Sequence, residues 1–174
     1  MTDSAKRLLR AKVVLLGAPG VGKTSLIQRF VHSLFSETYQ STIGVKVDRK
    51  SVELSHATVA MLIWDLHGET EGLEIPSNYM RGASAGICVS DAGRPETANK
   101  AGELCKRFLE LSPGGMVFPV VNKSDLDVDW TRIDSVAEHA GLANPARMSA
   151  KEDDGVDELF AQIANDLVGA QKSS

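Results

Sequence analysis

The sequence predicts an α/β protein with a mostly parallel sheet, and three observations lead to this fold class. Short apolar runs alternate with segments of helical periodicity over residues 12–168, which is typical of βαβ units. A glycine-rich turn joins the first apolar run to the first helical segment, and short polar motifs follow several later runs. Ligands bind beyond the carboxyl ends of the strands in such sheets, so functional residues are expected there.

The composition is that of a single soluble domain. The chain has 174 residues, of which 43% are hydrophobic and 24% charged, and this size fits one domain. Lys and Arg number 19 against 23 Asp and Glu, a net charge of −4 that does not favour nucleic-acid binding. The sequence has no membrane span, signal peptide or C-terminal prenylation cysteine. We therefore expect a cytoplasmic protein without a direct membrane anchor.

Six strands are predicted from short apolar runs. Residues 12–16, 58–66, 86–90 and 116–121 are dense in apolar and β-branched residues, and a shorter run follows at 146–148. Residues 44–54 alternate apolar and polar positions, which indicates an edge strand joined to 58–66 by a turn at Ser55-His56. Residues 1–10 are polar and basic and are expected to fray. The predicted domain therefore covers residues 11–169, between a flexible N-terminal segment (1–10) and a flexible tail (170–174).

Four helices are predicted from apolar residues at helical spacing. The first covers 24–32, and the second covers 97–111 and ends before the helix breakers that follow. The third covers 131–140, with Gly141 as its C-cap, and the last covers 156–168 with one apolar face. Cys88 falls in a strand and Cys105 in a helix, and both are expected to be buried, reduced thiols.

Residues 17–24 match the phosphate-binding motif G-x-x-x-x-G-K-[ST] between a predicted strand and a predicted helix. Glycines let backbone N–H groups approach phosphate oxygens, and the helix N-terminus adds positive potential. Lys23 would place its charge on the β- and γ-phosphates, and the Thr24 hydroxyl would bind Mg²⁺. The nucleotide-binding residues predicted in this segment are Gly20, Val21, Gly22, Lys23, Thr24 and Ser25.

Two later motifs favour guanine over adenine. Residues 122–125 follow a strand, and Asp125 could accept hydrogen bonds from guanine N1–H and from the exocyclic amine. Adenine lacks this donor pair and would leave the carboxylate unpaired at a cost in free energy. The stem of Lys123 can cover the base, and a backbone N–H in 149–151 could bond guanine O6. The residues predicted for this part of the site are Asn122, Lys123, Asp125, Ser149, Ala150 and Lys151.

Three further residues are suited to respond to the γ-phosphate. Asp65 ends a strand, where a carboxylate can hold Mg²⁺ through water. Gly68 can bring its N–H close to the γ-phosphate because it has no Cβ. Thr42 can add a hydroxyl to Mg²⁺ when that phosphate is present, so its loop would order and disorder with the nucleotide state. The predicted metal ligands are Thr24, Thr42 and Asp65.

The sequence resembles the Ras superfamily of small GTPases. The matching blocks lie in the family's order over residues 12–168 and are 17–25, Thr42, 65–68, 122–125 and 149–151. The Rab branch is the most similar, on the strength of Phe35, Trp64 and the segments 39–45 and 79–82. The resemblance implies a P-loop NTPase small G domain with six strands, one of them an antiparallel edge strand, and five helices on both faces. It also implies GTP or GDP bound with Mg²⁺, and two switch loops.

The resemblance further implies partners and residue roles. We expect a monomer that meets an effector, an exchange factor and an activating protein. Phe35 should cover the guanine edge-on and Tyr39 should approach the γ-phosphate; the alternatives are a core aromatic for Phe35 and a surface aromatic for Tyr39. The residues expected to act in hydrolysis are Lys23, Thr42, Gly68 and Glu69.

Three departures from the family pattern bear on the activity. Glu69 stands where the family usually has the Gln that orients the attacking water, and an ionised Glu accepts hydrogen bonds but cannot donate them. Pro19 replaces a usual Gly or Ser, removes an N–H and adds bulk where an activating partner's arginine would enter. Glu69 predicts slow intrinsic hydrolysis, with His67 and Glu71 as nearby substitutes for the Gln, and Pro19 puts activation by a partner's arginine in doubt. The sequence ends without a lipidation cysteine, so we expect that a vesicle-trafficking role does not carry over.

The leading functional prediction is a guanine-nucleotide switch that hydrolyses GTP slowly. One alternative is a GTP-binding interaction module with little or no turnover, because Glu69 and Pro19 replace the usual residues. A third reading is a P-loop ATPase or kinase, which the Asp125 argument disfavours.

Overall fold

The computed structural model describes residues 6–38, 43–66 and 74–171. The strands are β1 (Arg7–Leu16), β2 (Val45–Glu53), β3 (Ala57–Leu66), β4 (Ala85–Asp91), β5 (Met116–Asn122) and β6 (Ala146–Arg147). The helices are α1 (Lys23–His32), α2 (Ser77–Met80), α3 (Thr97–Leu111), α4 (Trp130–His139) and α5 (Val156–Ala170).

The strands form a six-stranded sheet in the order β2-β3-β1-β4-β5-β6. β2 runs antiparallel to β3 at one edge, and each of the other neighbouring pairs is parallel. The N–H of Leu54 donates to the carbonyl of Ala57 at 2.8 Å and closes the predicted hairpin turn. The predicted fold class, including its antiparallel edge strand, is confirmed.

β1 begins at Arg7 rather than at residue 12, because residues 7–10 pair in parallel with residues 57–60 of β3. The expectation that residues 1–10 form a flexible segment is therefore wrong for 7–10. Arg7, Leu8 and Arg10 are exposed, so this part of the strand lacks the apolar run by which buried strands are identified. At the other end, α5 continues to Ala170 rather than ending at 168.

The helices otherwise begin and end close to the predicted residues. Sequence patterns do not locate α2, because a single turn of helix that buries only Met80 has no periodicity. α4 begins after Asp129, whose carboxylate accepts the N–H of Arg132 as an N-cap. Gly141 has φ +79° just past the end of α4, the left-handed conformation expected of a residue that ends a helix.

The two faces of β1 divide the hydrophobic core. Val13 and Leu15 pack in a cluster with apolar residues of α1 and α5, whereas Val14 and Leu16 pack in a cluster with residues of α2, α3 and α4. Each of these four side chains is fully buried, and burial of one such side chain stabilises the fold by about 1.5–3 kcal/mol. Helices on both faces thus hold the sheet and fix the positions of the loops that follow its strands.

Two further expectations can be compared with the structure. Cys88 of β4 and Cys105 of α3 are free and buried, as predicted. In the part of the chain that the structure describes, no helix has both the length and the apolar character required to cross a membrane.

Candidate nucleotide-binding site

The predicted motifs meet at one edge of the sheet, beyond the carboxyl ends of its parallel strands. The segment 17–22, called the phosphate loop below, joins β1 to α1. Asp65 lies near the end of β3, Asn122 ends β5, and residues 149–151 follow β6. The parallel topology therefore brings together motifs that are distant in the sequence.

Side chains from β5 and the residue after it hold the backbone carbonyls of the phosphate loop. The Asn122 amide donates to the carbonyl of Val21, and the Lys123 ammonium donates to that of Gly20, both at 3.0 Å. The N–H of a trans peptide points opposite to its C=O, and no described peptide bond is cis. The N–H groups of Val21 and Gly22 are thereby turned to the other side of the loop, where such groups can converge on an anion.

Two glycines allow this conformation. Gly20 has φ +73° and Gly22 has φ +100°, values that side chains with a Cβ rarely adopt. A Cβ on Gly22 would also lie 2.2 Å from Nδ2 of Asn122. A larger residue at position 22 would therefore displace the amide that holds the loop.

Lys23 is a buried cation placed at the start of α1. Its Nζ donates to the carbonyls of Gly17 at 3.0 Å and Ala18 at 2.9 Å, and the residue is only 6% exposed. Burial lowers the pKa of Lys23 to about 8, with Asp65 acting in the opposite direction and Arg94 adding to the decrease. An anion bound in the loop would favour the charged form of this side chain.

Thr24 and Asp65 form a pair of hard oxygen ligands. The Thr24 hydroxyl donates to Oδ2 of Asp65 at 2.6 Å. Asp65 is 1% exposed, and its Oδ1 is buried without a hydrogen-bond partner among the described residues. Burial raises the pKa of the Asp65 carboxyl, although Thr24 and Lys23 oppose the shift.

An orphaned carboxylate oxygen beside a hydroxyl fits a divalent cation such as Mg²⁺. No group of three or more His, Cys, Asp or Glu residues that could hold a metal occurs among the described residues. Magnesium is usually held by one or two protein oxygens together with water and substrate phosphates. Thr24 and Asp65 are therefore the described residues suited to hold it.

The residues predicted to recognise the base make two sets of hydrogen bonds. The Ser149 hydroxyl donates to Oδ1 of Asp125 at 2.6 Å, and the N–H of Glu152 donates to the same hydroxyl at 3.0 Å. Asp125 is exposed at the sheet edge. The N–H of Ala150 donates to Oδ1 of Asn122 at 3.2 Å, so in this conformation it is already engaged within the protein rather than directed at a base.

Arg29 of α1, which sequence patterns do not single out, anchors the loop at 149–151. Its Nε donates to the carbonyl of Ala150 and its Nη2 to that of Lys151, both at 2.8 Å. The guanidinium carbon also lies 5.7 Å from the centroid of the Phe35 ring. Phe35 is half-buried and packs partly against the α1–α5 side of the core, so it lies between the Arg29 guanidinium and the core.

A second group missed from the sequence lies at the end of β4. Asp91 is 2% exposed and accepts hydrogen bonds from Lys123 at 2.7 Å and Arg94 at 3.0 Å on the same carboxylate oxygen. Asp91 could have been found by the rule that located Asp65, because both carboxylates stand at the carboxyl end of a parallel strand. The strand predicted from the sequence covers residues 86–90 and ends one residue before Asp91, so Asp91 is not among the predicted site residues.

Four predicted site residues lie outside the described residues. These are Tyr39, Thr42, Gly68 and Glu69, together with the suggested substitutes His67 and Glu71. Their predicted roles stay predictions.

Comparison with known proteins agrees with this arrangement of motifs. Residues 12–169 match the family model described as "Ras family". The chain is 33% identical over 162 residues to the Ras-related protein Rab-19 of Mus musculus, an alignment that covers 90% of this chain and 75% of that protein. It is 36% identical over 169 residues to the Ras-related protein Rab5 of Nicotiana tabacum, covering 94% and 84%. It is 32% identical over 161 residues to the Ras-related protein Rab-1 of Theileria parva, covering 90% and 73%.

Proposed function

This chain belongs to the Ras family of GTP-binding switch proteins, and we propose that it is a magnesium-dependent member that hydrolyses GTP slowly. The observation that carries the proposal is the convergence of three groups at one sheet edge. They are the buried Lys23 next to the phosphate loop, the Thr24–Asp65 oxygen pair, and the Asp125–Ser149 pair.

Each group has a task in binding the nucleotide. Lys23 neutralises charge on the β- and γ-phosphates, and the phosphate loop donates its N–H groups to their oxygens. Thr24 and Asp65 would hold Mg²⁺, and Thr42 would add its hydroxyl when the γ-phosphate is present. The metal, when bound, reduces the negative charge that develops on the phosphates during transfer. The Asp125 carboxylate selects guanine by accepting hydrogen bonds from the N1–H and the exocyclic amine of the base.

Hydrolysis requires in-line attack on the γ-phosphorus. A water oxygen forms a bond to phosphorus, and the bond between phosphorus and the β–γ bridging oxygen breaks, giving GDP and inorganic phosphate. Glu69 stands where a water-orienting Gln is usual. An ionised Glu cannot donate a hydrogen bond to the phosphoryl group that is being transferred. Its negative charge beside the γ-phosphate and the missing N–H of Pro19 both act against a fast reaction.

The switch itself is the ordering of the loops that contain Thr42 and Gly68 by the γ-phosphate. Ile43, directly after Thr42, is 94% exposed, which suits a surface completed by a partner. Trp64 and Tyr79 are two of the residues that carry the resemblance to the Rab branch, and their ring centroids lie 6.0 Å apart. We propose that an effector reads this surface, and that an exchange factor and an activating protein set the nucleotide state.

A second candidate function is a GTP-binding interaction module that does not turn over. The departures at positions 19 and 69 favour it, because Glu69 replaces the usual water-orienting Gln and Pro19 adds bulk where an activating partner's arginine would enter. The two candidates share the nucleotide site and differ in whether phosphate is released.

The nucleotide that the protein retains during purification tests guanine binding directly. The purified chain is heated to release its ligand, and the supernatant is analysed by ion-exchange chromatography. The proposal predicts GDP or GTP at close to one equivalent. Adenine nucleotide, or no nucleotide with no rebinding of labelled GDP, would contradict it.

A further inference from the structure

Arg94, between β4 and α3, holds a third carbonyl of the phosphate loop. Its Nη2 donates to the carbonyl of Pro19 at 3.0 Å, while its Nε donates to Oδ2 of Asp91 at 3.0 Å. The side chain is 44% exposed. One guanidinium thus joins the phosphate loop to a buried carboxylate at the end of the neighbouring strand.

The anchor for this contact is rigid. Asp91 also accepts the N–H of Gly93 at 2.9 Å on its other oxygen. Thr97, at the start of α3, accepts the N–H of Asp91 at 2.9 Å and donates to the carbonyl of Arg94 at 2.7 Å. The backbone that carries Arg94 is therefore tied at both ends of its short loop.

Pro19 makes this contact consequential. Proline has no N–H, so the next N–H that the phosphate loop can offer belongs to Gly20. That N–H shares a peptide with the Pro19 carbonyl, and in a trans peptide the two point in opposite directions. Fixing the carbonyl on Arg94 therefore fixes the direction of the Gly20 N–H.

We propose that Arg94 is a positioning residue for the phosphate loop, which holds the Pro19 carbonyl outwards and so aims the Gly20 N–H at the bound phosphates. It completes a row of three carbonyls, those of Pro19, Gly20 and Val21, held by Arg94, Lys123 and Asn122 respectively. The inference rests on the proposed nucleotide-binding function and adds a residue that the phosphate-binding motif does not contain.

The geometry requires a guanidinium rather than a positive charge alone. Arg94 uses two nitrogens of its planar fork for two acceptors, whereas a lysine ammonium is a point charge on a flexible stem. Arg94→Lys should therefore behave like Arg94→Ala in nucleotide binding. Arg94→Lys keeps a cation near Asp91 and preserves the fold if Arg94→Ala proves unstable.

The experiment measures the dissociation of a fluorescent GDP from the magnesium-loaded protein and the ³¹P resonances of bound GDP. We expect both variants to release GDP about ten-fold faster than the parent, the effect of losing one hydrogen bond to a charged group. The β-phosphate resonance should shift in both. Lys100→Ala is the matched control, because Lys100 pairs with Glu103 on the surface of α3, and it should change neither quantity.

The outcomes separate this inference from the function on which it rests. Retention of the fluorescent GDP by the parent protein tests the function, whereas the ratio of variant to parent tests Arg94. Release at the parent's rate with an unshifted β-phosphate resonance in both variants would overturn the inference. Restoration of both quantities by Arg94→Lys would also overturn it, because charge alone would then suffice.

Discussion

The hydroxyl of Thr24 donates to the carboxylate of Asp65 across 2.6 Å, and the other oxygen of that carboxylate is buried without a hydrogen-bond partner among the described residues. Thr24 is the second residue of α1, the helix that follows the phosphate loop, and Asp65 lies near the end of β3. A buried carboxylate oxygen left without a donor is costly. Coordination of Mg²⁺ by this pair would remove that cost.

Asp65→Asn should weaken the metal's hold on the nucleotide. A neutral amide oxygen is a poorer ligand for a hard cation than a carboxylate. We expect GDP release in the presence of Mg²⁺ to accelerate by about 10- to 100-fold, the range seen when groups that support a metal are removed. Stopped-flow release of a fluorescent GDP measures the rate with and without a chelator.

The chelator serves as the internal comparison for this variant. In the parent protein it should accelerate release strongly, and in Asp65→Asn it should add little. Asp134→Asn, a change of a half-exposed acid on α4, should behave as the parent does. An Asp65→Asn protein that responds to the chelator as strongly as the parent would rule out the assigned metal role.

Nucleotide binding in the absence of metal should weaken above about pH 8. Lys23 has a pKa of about 8 in the nucleotide-free protein, and the phosphates favour its protonated form. Affinity should stay level below this pH and fall by up to about ten-fold per pH unit above it. Calorimetric titration of GDP in the presence of a chelator, from pH 6.5 to pH 9, measures the profile.

The sign for folding is the opposite of the sign for binding. Because the pKa of Lys23 is lower in the nucleotide-free fold than its usual 10.5, the unfolded chain holds the proton to higher pH. Lys23 therefore makes a contribution to the free energy of unfolding that rises between about pH 8 and pH 10.5.

The Lys23→Ala variant tests the pH dependence of GDP binding. Its GDP affinity should not change with pH in this window. A GDP affinity of the parent protein that stays constant above pH 8 would count against the role assigned to Lys23.

Asp125→Asn should exchange guanine for xanthine. The Asn amide presents one acceptor and one donor, whereas guanine offers two donors at N1 and the exocyclic amine. Xanthine has a carbonyl in place of that amine and complements the amide. We expect GDP affinity to fall by at least about a hundred-fold and XDP binding to appear.

Competition against a fluorescent GDP measures both affinities. Asp127→Asn is a matched control, since Asp127 is also exposed and lies two positions further along the chain. Unchanged preference for GDP in the Asp125→Asn protein would mean that this carboxylate does not read the base.

Arg29→Ala should weaken the attachment of the loop at 149–151 to α1. Arg29 makes two hydrogen bonds of 2.8 Å to the carbonyls of Ala150 and Lys151 and is largely buried. Their loss should accelerate the release of GDP by about ten-fold. Arg132→Ala, an exposed arginine of α4, provides the comparison. If both substitutions leave the rate of GDP release unaltered, the hydrogen bonds of Arg29 to residues 150 and 151 do not contribute to nucleotide binding.

Glu69→Gln should raise the rate of GTP hydrolysis. A Gln side chain can both donate and accept a hydrogen bond, and it removes a negative charge from the neighbourhood of the γ-phosphate. Phosphate release from preloaded GTP in a single turnover measures the rate, with Glu103→Gln on the exposed side of α3 as a control. A rate equal to or below that of the parent would show that Glu69 is not a weakened form of the usual Gln.

The parts of the site predicted from sequence are those encoded by contiguous residues at strand ends. The phosphate loop and Asp125 belong to such segments. Thr24 and Asp65 come together because β1, which precedes the phosphate loop, runs parallel to β3, which contains Asp65. A dense apolar run in a βαβ pattern fixes where each strand ends, and chemistry in this fold collects there.

The residues missed from sequence act through contacts formed by packing. Arg29 reaches the carbonyls of Ala150 and Lys151 only because α1 and the last strand's loop lie side by side. Arg94 likewise reaches the carbonyl of Pro19 only because the loop after β4 lies beside the phosphate loop. A backbone carbonyl is present at every position, so no residue type marks it as the acceptor of a distant side chain. The start of β1 was not predicted for a related reason. Its exposed arginines do not form an apolar run, and its pairing with β3 is made by backbone groups.

Single-turnover hydrolysis of GTP preloaded on the purified protein with Mg²⁺ tests the central claim most directly. The switch proposal predicts slow but measurable phosphate release, which is lost when Lys23 is replaced by Ala and when the metal is chelated. Retention of intact GTP over hours with no phosphate released would contradict intrinsic GTPase activity. That result would leave the non-hydrolysing interaction module as the function that the nucleotide site supports.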